Sequence, residues 1–166
     1  MIILGIDPGL AKTGCGVIKA VGNRIAPLTY GAITTRPGQD LAGRLRIIYD
    51  GISELCRQYH PDVAAIEEIF FAANVKTAVD VAQARGVAIL ATESCGLELA
   101  QYSPLRIKQA VVGYGRATKK QVQQMVKVLL SLEEIPRPDH AADALAAALC
   151  HVFTNKLNIL LKQQNS

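Results

Sequence analysis

The hydrophobic period of this chain changes at Pro37-Gly38, and that change limits the folds open to it. Before it lie three short runs with strand character, at residues 2–7, 14–19 and about 25–33. Pro8-Gly9 and the stretch Val21-Gly22-Asn23-Arg24 supply the turns between them. After it, Leu41, Leu45, Ile48, Ile52, Leu55 and Tyr59 recur at helical spacing, with Asp40 placed as an N-cap. Pro61 ends that helix. A short apolar strand at 63–67 follows, then a helix from about 75 to 92 and a strand near 97–102. Three further helices are predicted: 104–112 opened by Pro104, one from Thr118 to about 132, and one from 139 to about 153 introduced by Pro136 and Pro138. Three consecutive strands argue against an all-parallel sheet, whereas strands separated by helices argue for parallel crossovers. The expected fold is therefore α/β: a mixed β-β-β-α-β-α-β sheet, then helices, with helices on both faces. One domain is expected over 1–153, with 154–166 as a fraying tail.

Half of the residues are hydrophobic and there is no Trp, so the core must be built mainly of Ala, Val, Ile and Leu. Cys15, Cys56, Cys95 and Cys150 form no C-x-x-C pair and read as small buried hydrophobes in a reducing compartment, not as a zinc site. Only six residues precede Asp7 and they carry no basic flank, so neither a signal peptide nor a membrane span is expected, and the expected location is cytoplasmic. Net charge is +4, but its distribution says more. No acid lies between Glu98 and Glu133, a stretch in which Arg106, Lys108, Arg116, Lys119, Lys120 and Lys127 contribute +6. The remainder is net acidic. Such segregation suits a metal-dependent enzyme acting on a polyanion.

Three acids lie on apolar elements far apart in sequence. Asp7 closes the first strand, Glu67 closes the fourth, and Asp143 sits in the Ala/Leu-rich last helix. Taken alone, Asp7 reads as a turn-capping residue and Glu67 as a solvated strand end. If their strands are parallel neighbours, however, both carboxylates meet at one sheet edge. On the last helix Ala141, Leu145, Leu149 and Val152 share one side, while Asp139, His140 and Asp143 lie opposite. Gathered acids are costly unless a cation joins them, and a divalent metal is the economical choice.

Four stretches together resemble the RuvC family of Holliday-junction resolvases, within the ribonuclease H and retroviral integrase superfamily. They are Ile2-Ile3-Leu4-Gly5-Ile6-Asp7-Pro8-Gly9, Ala65-Ile66-Glu67-Glu68-Ile69-Phe70, Ile107-Lys108-Gln109-Ala110-Val111-Val112-Gly113 and His140-Ala141-Ala142-Asp143-Ala144-Leu145-Ala146. The resemblance implies a ribonuclease H-like fold, with Asp7, Glu67 and Asp143 as catalytic metal ligands and His140 at the fourth family position, where many members carry Asp. Asp139 is the alternative for that fourth place. It implies two Mg²⁺ per active site, with Mn²⁺ able to substitute. The implied reaction is symmetric paired nicking of four-way DNA junctions in recombination and repair, leaving 5′-phosphate and 3′-hydroxyl ends without a covalent intermediate. A homodimer and a branch-migration complex are the implied partners.

By the same resemblance Lys108 and Lys119 would lie near the scissile phosphate, with Arg116 and Lys120 close enough in sequence to join them. Phe70 would stack on an unpaired base, while Phe71 reads as core. Two other readings stand beside this one. Asp7-x-Gly9-x-x-x-x-Gly14 also suits the phosphate loop of an actin or sugar-kinase nucleotide-binding domain, although those folds need two domains. A non-catalytic junction-binding module is the second.

Overall fold

The computed structural model describes residues 1–69 and 75–164, with side chains described for 1–69 and 78–155. Five strands form one sheet: β1 (Ile2–Asp7), β2 (Lys12–Val21), β3 (Arg24–Thr34), β4 (Val63–Glu67) and β5 (Glu98–Tyr102). Their order is β3-β2-β1-β4-β5. The β1/β2 and β2/β3 pairs are antiparallel, and the β1/β4 and β4/β5 pairs are parallel. This is the mixed sheet expected from the change of period. Asp62 pins the parallel register at its start, its carboxylate accepting from the Ile2 N–H at 2.6 Å.

Among the described residues, five helices cover the two faces: α1 (Leu41–Tyr59), α2 (Val75–Ser94), α3 (Pro104–Val112), α4 (Lys119–Leu129) and α5 (Asp139–Gln164). Side-chain alternation along the strands sorts the core. Leu4, Ile6, Val17 and Ile66 pack with Ile48 and Ile52 of α1 and Ala84 and Ala88 of α2. Ile3, Ile18 and Ala65 point the other way, into α3, α4 and α5. Asp7 and Glu67 have the parity of Ile3 and Ala65, so both carboxylates leave the sheet on the α5 side.

The helix starts follow from capping. Asp40 accepts from the Gly43 N–H at 2.8 Å, as expected. Ser103 caps α3, and Thr118 forms a reciprocal capping box with Gln121 at the start of α4. Cys15, Cys56 and Cys150 are buried and Cys95 is half-buried; all four are free thiols. Burial pushes the Cys15 and Cys56 thiols up to about 12. Among the described residues, no helix is long and apolar enough to cross a membrane.

Two boundaries differ from expectation. Helix α4 ends at Leu129 instead of about 132, because Ser131 adopts a left-handed φ of 51°. Helix α5 continues to Gln164, past the boundary at 153, because residues 154–164 contain neither Gly nor Pro to stop it.

Helix α5 is buried nearly all round: Ala141, Ala142, Ala144 through Cys150, and Val152 are each no more than 1% exposed. Glycines in the sheet make that depth possible. A Cβ at Gly5 would fall on the Ala144 carbonyl, and one at Gly14 on the His140 carbonyl. At Gly16 it would lie 2.6 Å from a Leu145 methyl. Gly5 pairs with Gly16 across β1/β2, and Asp7 pairs with Gly14. The helix therefore rests on bare backbone, with its first turn beside the end of β1.

Candidate active site

Parallel pairing of Ile6 with Ile66 sets Asp7 and Glu67 side by side at the carboxyl ends of β1 and β4. The turn after Asp7 is held from below. Thr13 Oγ1 donates to the Gly9 carbonyl at 2.8 Å, and Thr35 Oγ1 donates to the Leu10 carbonyl at 2.6 Å. The Arg44 Nε–H donates in turn to Thr35 Oγ1. Asp7 is thus presented on a fixed loop, and its side chain is 17% exposed.

The first turns of α5 complete the cluster. Ligand atoms of Asp7, His140 and Asp143 all lie within 4.8 Å of one another. His140 Nδ1 is 2.7 Å from Asp7 Oδ2, across 133 residues of sequence. Asp139 stands outside that group; its exposed carboxylate lies 3.7 Å from Lys119 Nζ. Of the two candidates for the fourth position, the geometry therefore brings His140 to Asp7. Glu67 also lies outside the 4.8 Å group, but it shares a cleft of about 220 Å³ with Asp7.

Lys119 Nζ sits 2.8 Å from Asp143 Oδ2, held there by the Thr118 cap at the start of its helix. Lys108 stands close enough to Glu67 to act on its charge. Arg116 and Lys120 are exposed and are not drawn into the acidic cluster. Phe70 and Phe71 lie outside the described residues. One contributor was missed in the sequence: the Arg85 Nε–H of α2 donates to the Glu67 carbonyl at 3.3 Å, and the guanidinium also bonds the Gln101 side chain. A lone Arg on an apolar helix gave no sign of that role. The sheet glycines under α5 were also missed, although small residues at alternating positions 14 and 16 were a readable signal of close approach.

The electrostatics are those of carboxyl groups clustered at the end of a sheet. Burial first, then the charges of Asp7 and Asp143, hold the Glu67 carboxyl up at about 7 against the opposing pull of Lys108 and Lys119. Burial likewise raises Asp143, with Lys119 opposing. The hydrogen bond to Asp7 raises His140, more than offsetting burial. Burial lowers Lys119, but its bond to Asp143 and the charges of Asp143, Asp139 and Asp7 leave it raised. Two carboxylates and an imidazole at ligating separation, with a third carboxylate in the adjoining cleft, fit a divalent ion.

A carboxyl whose folded-state pKa exceeds its unfolded value binds more protons folded than unfolded. Stability then falls as pH rises from about 4.5 through about 7 for Glu67, and the raised His140 and Asp143 act in the same direction. Glu67→Gln should therefore stabilise the metal-free protein by roughly 2–3 kcal/mol near pH 8 and by little near pH 5. Thermal melts in EDTA at both pH values check this. Equal gains at the two would show that Glu67 does not carry the strain.

A mixed sheet of this order, with acids on β1, β4 and the last helix, defines a ribonuclease H-like nuclease. The family model "Crossover junction endodeoxyribonuclease RuvC" matches residues 3–151. The chain belongs to this family. It is 52% identical over 157 residues to the crossover junction endodeoxyribonuclease RuvC of Caldanaerobacter subterraneus subsp. tengcongensis, covering 95% of each chain. It is 54% identical over 151 residues to that of Desulforamulus reducens, covering 91% of this chain and 93% of the relative. Among solved structures, Thermus thermophilus RuvC in complex with a Holliday junction substrate superposes with a TM-score of 0.90 at 34% identity, covering 95% of this chain and 96% of that one.

Proposed function

We propose that this chain is a structure-selective endonuclease that resolves four-way DNA junctions by nicking two strands symmetrically. The observation that carries the reading is the meeting of Asp7, His140 and Asp143 within 4.8 Å, beside Glu67 and two lysines, on a chain about half identical to junction endonucleases. Asp7, Glu67, His140 and Asp143 would hold two Mg²⁺, or Mn²⁺ in their place, which when bound supply Lewis acidity toward the scissile phosphate and lower the pKa of an attacking water. His140 can ligate only as the neutral imidazole, through the ring nitrogen that carries no proton. Glu67 must ionise.

Lys119 is poised to exchange its carboxylate partners for a phosphate oxygen, and Lys108 neutralises charge on the Glu67 side. Arg116 and Lys120 extend the basic surface along the DNA backbone. Phe70 would stack on an unpaired base. Each protomer carries one acidic cluster, so two cuts call for a homodimer with its clusters related by two-fold symmetry. A cytoplasmic location and delivery to DNA by a branch-migration complex complete the reading.

Incubation with a synthetic mobile four-way junction, with and without Mg²⁺ or Mn²⁺, tests it. Paired nicks at symmetric positions that ligase can seal are expected, and only with metal. Junction binding without nicking would favour a non-catalytic module, and ATP hydrolysis without nicking would favour a nucleotide-binding domain.

A further inference from the structure

The Glu67 carbonyl ends β4, and the sheet cannot supply its donor. Backbone hydrogen bonding along β1 alternates by residue. Met1 exchanges both bonds with Ala20, so the odd residues of β1 bond toward β2 and the even ones toward β4. On β4, the Glu68 N–H donates to the Tyr102 carbonyl at 2.9 Å, so the even residues bond toward β5 and the odd ones toward β1. With Ile6 opposite Ile66, the donor due to the Glu67 carbonyl is the backbone nitrogen of residue 8. That residue is Pro8, which has no N–H. The β1/β4 pairing accordingly stops at Ile6 and Ile66, whereas β1/β2 continues to Asp7 and β4/β5 to Glu67.

Arg85 supplies what Pro8 lacks. Its Nε–H donates to the Glu67 carbonyl at 3.3 Å, and Nη2 of the same guanidinium donates to the side-chain oxygen of Gln101. Gln101 pairs with Ile66 across β4/β5, so the fork spans the ends of two neighbouring strands. Ile66 packs on the α1/α2 side of the sheet, and Gln101 shares that side as its cross-strand partner. The Glu67 carboxylate leaves on the other side. Arg85 therefore acts on Glu67 through the main chain and from the opposite face. Both acceptors are neutral, and Arg85 has no ion-pair partner among the described residues. Its planar set of donors, more than its charge, is what the contact uses.

We infer that Arg85 is a positioning residue for Glu67: its fork replaces the ladder bond that Pro8 removes and fixes the peptide plane from which the Glu67 side chain departs. The inference rests on the reading of Glu67 as a metal ligand. A carboxylate standing a step outside the closest group can reach an ion only if its own backbone is held.

The test is Mn²⁺ binding by the full chain without DNA, followed by the electron paramagnetic resonance signal of the free ion. Arg85→Met keeps the stem and removes the fork; it should weaken Mn²⁺ binding by roughly tenfold. Arg85→Lys keeps the charge but not the fork, should fall between the two, and carries the comparison if Arg85→Met does not fold. Pro8→Ala returns an N–H to the ladder position. It should bring no gain to the native protein but recover about half or more of the loss, on a logarithmic scale, in the Arg85 variant. Junction binding in EDTA across a salt series should keep its native slope in the Arg85→Met protein. Absence of rescue by Pro8→Ala would overturn the inference, because a side chain that only packs α2 on the sheet gains nothing from a proton on residue 8. Native Mn²⁺ affinity in folded Arg85→Met would also overturn it, whatever the Tm. So would a shallower salt slope, which makes Arg85 a phosphate contact. A native protein that binds no Mn²⁺ would instead sink the metal reading of the cluster, so the two failures are distinguishable.

Discussion

Asp7→Asn should reduce junction cleavage by roughly a thousandfold or more while leaving junction binding in EDTA unchanged or slightly tighter. The amide fills the same space but cannot supply the negative oxygen that a hard cation requires. Binding survives because the removed charge repels phosphate. Cleavage assays in Mg²⁺ paired with anisotropy in EDTA separate the two effects. Near-native cleavage by Asp7→Asn would remove this residue from metal binding. Relief of acid repulsion alone would predict that the substitution also stabilises the metal-free protein. The 2.7 Å contact with His140 changes that expectation: Asp7 already has a cationic partner when the imidazole is protonated. The gain on losing its charge should be smaller than for Glu67→Gln, whose carboxylate has no such bond among the described residues.

Gly14→Ala should cost about 3 kcal/mol, or roughly 6–12 °C in Tm, and abolish cleavage in the protein that still folds. The added Cβ would fall on the His140 carbonyl, with the His140 Cβ 2.9 Å away. Both obstacles belong to the first turn of a buried helix and cannot rotate aside. The helix start must lift, and His140 and Asp143 lift with it. Gly31→Ala is the control, since a Cβ there meets nothing within 4 Å. A Gly14→Ala protein with native Tm and native cleavage would show that α5 does not rest on the strand backbone at this point.

The elements themselves were legible in the sequence because their signals are local. The Asp40 and Thr118 caps, the Pro104 start and the short apolar run at 63–67 each depend on neighbours within one or two turns. The parallel pairing of β1 with β4 was an inference from connection rules, and it placed Asp7 beside Glu67 correctly. The contribution of Arg85 was not legible, because its bond to the Glu67 carbonyl depends on how α2 lies over β4.

The sequence by itself determined which residue types could make a metal site and which ends of which elements would carry them. Strand parity and helical spacing are set by backbone geometry, so they can be read without coordinates. Only the tertiary structure decided that His140 and not Asp139 meets Asp7, and that Glu67 stands a step outside the closest group. The two candidates are adjacent on one helical turn, about 100° apart. Which of them faces β1 depends on the rotation and depth of α5, and those are set by its contact with Gly5, Gly14 and Gly16 at the other end of the chain.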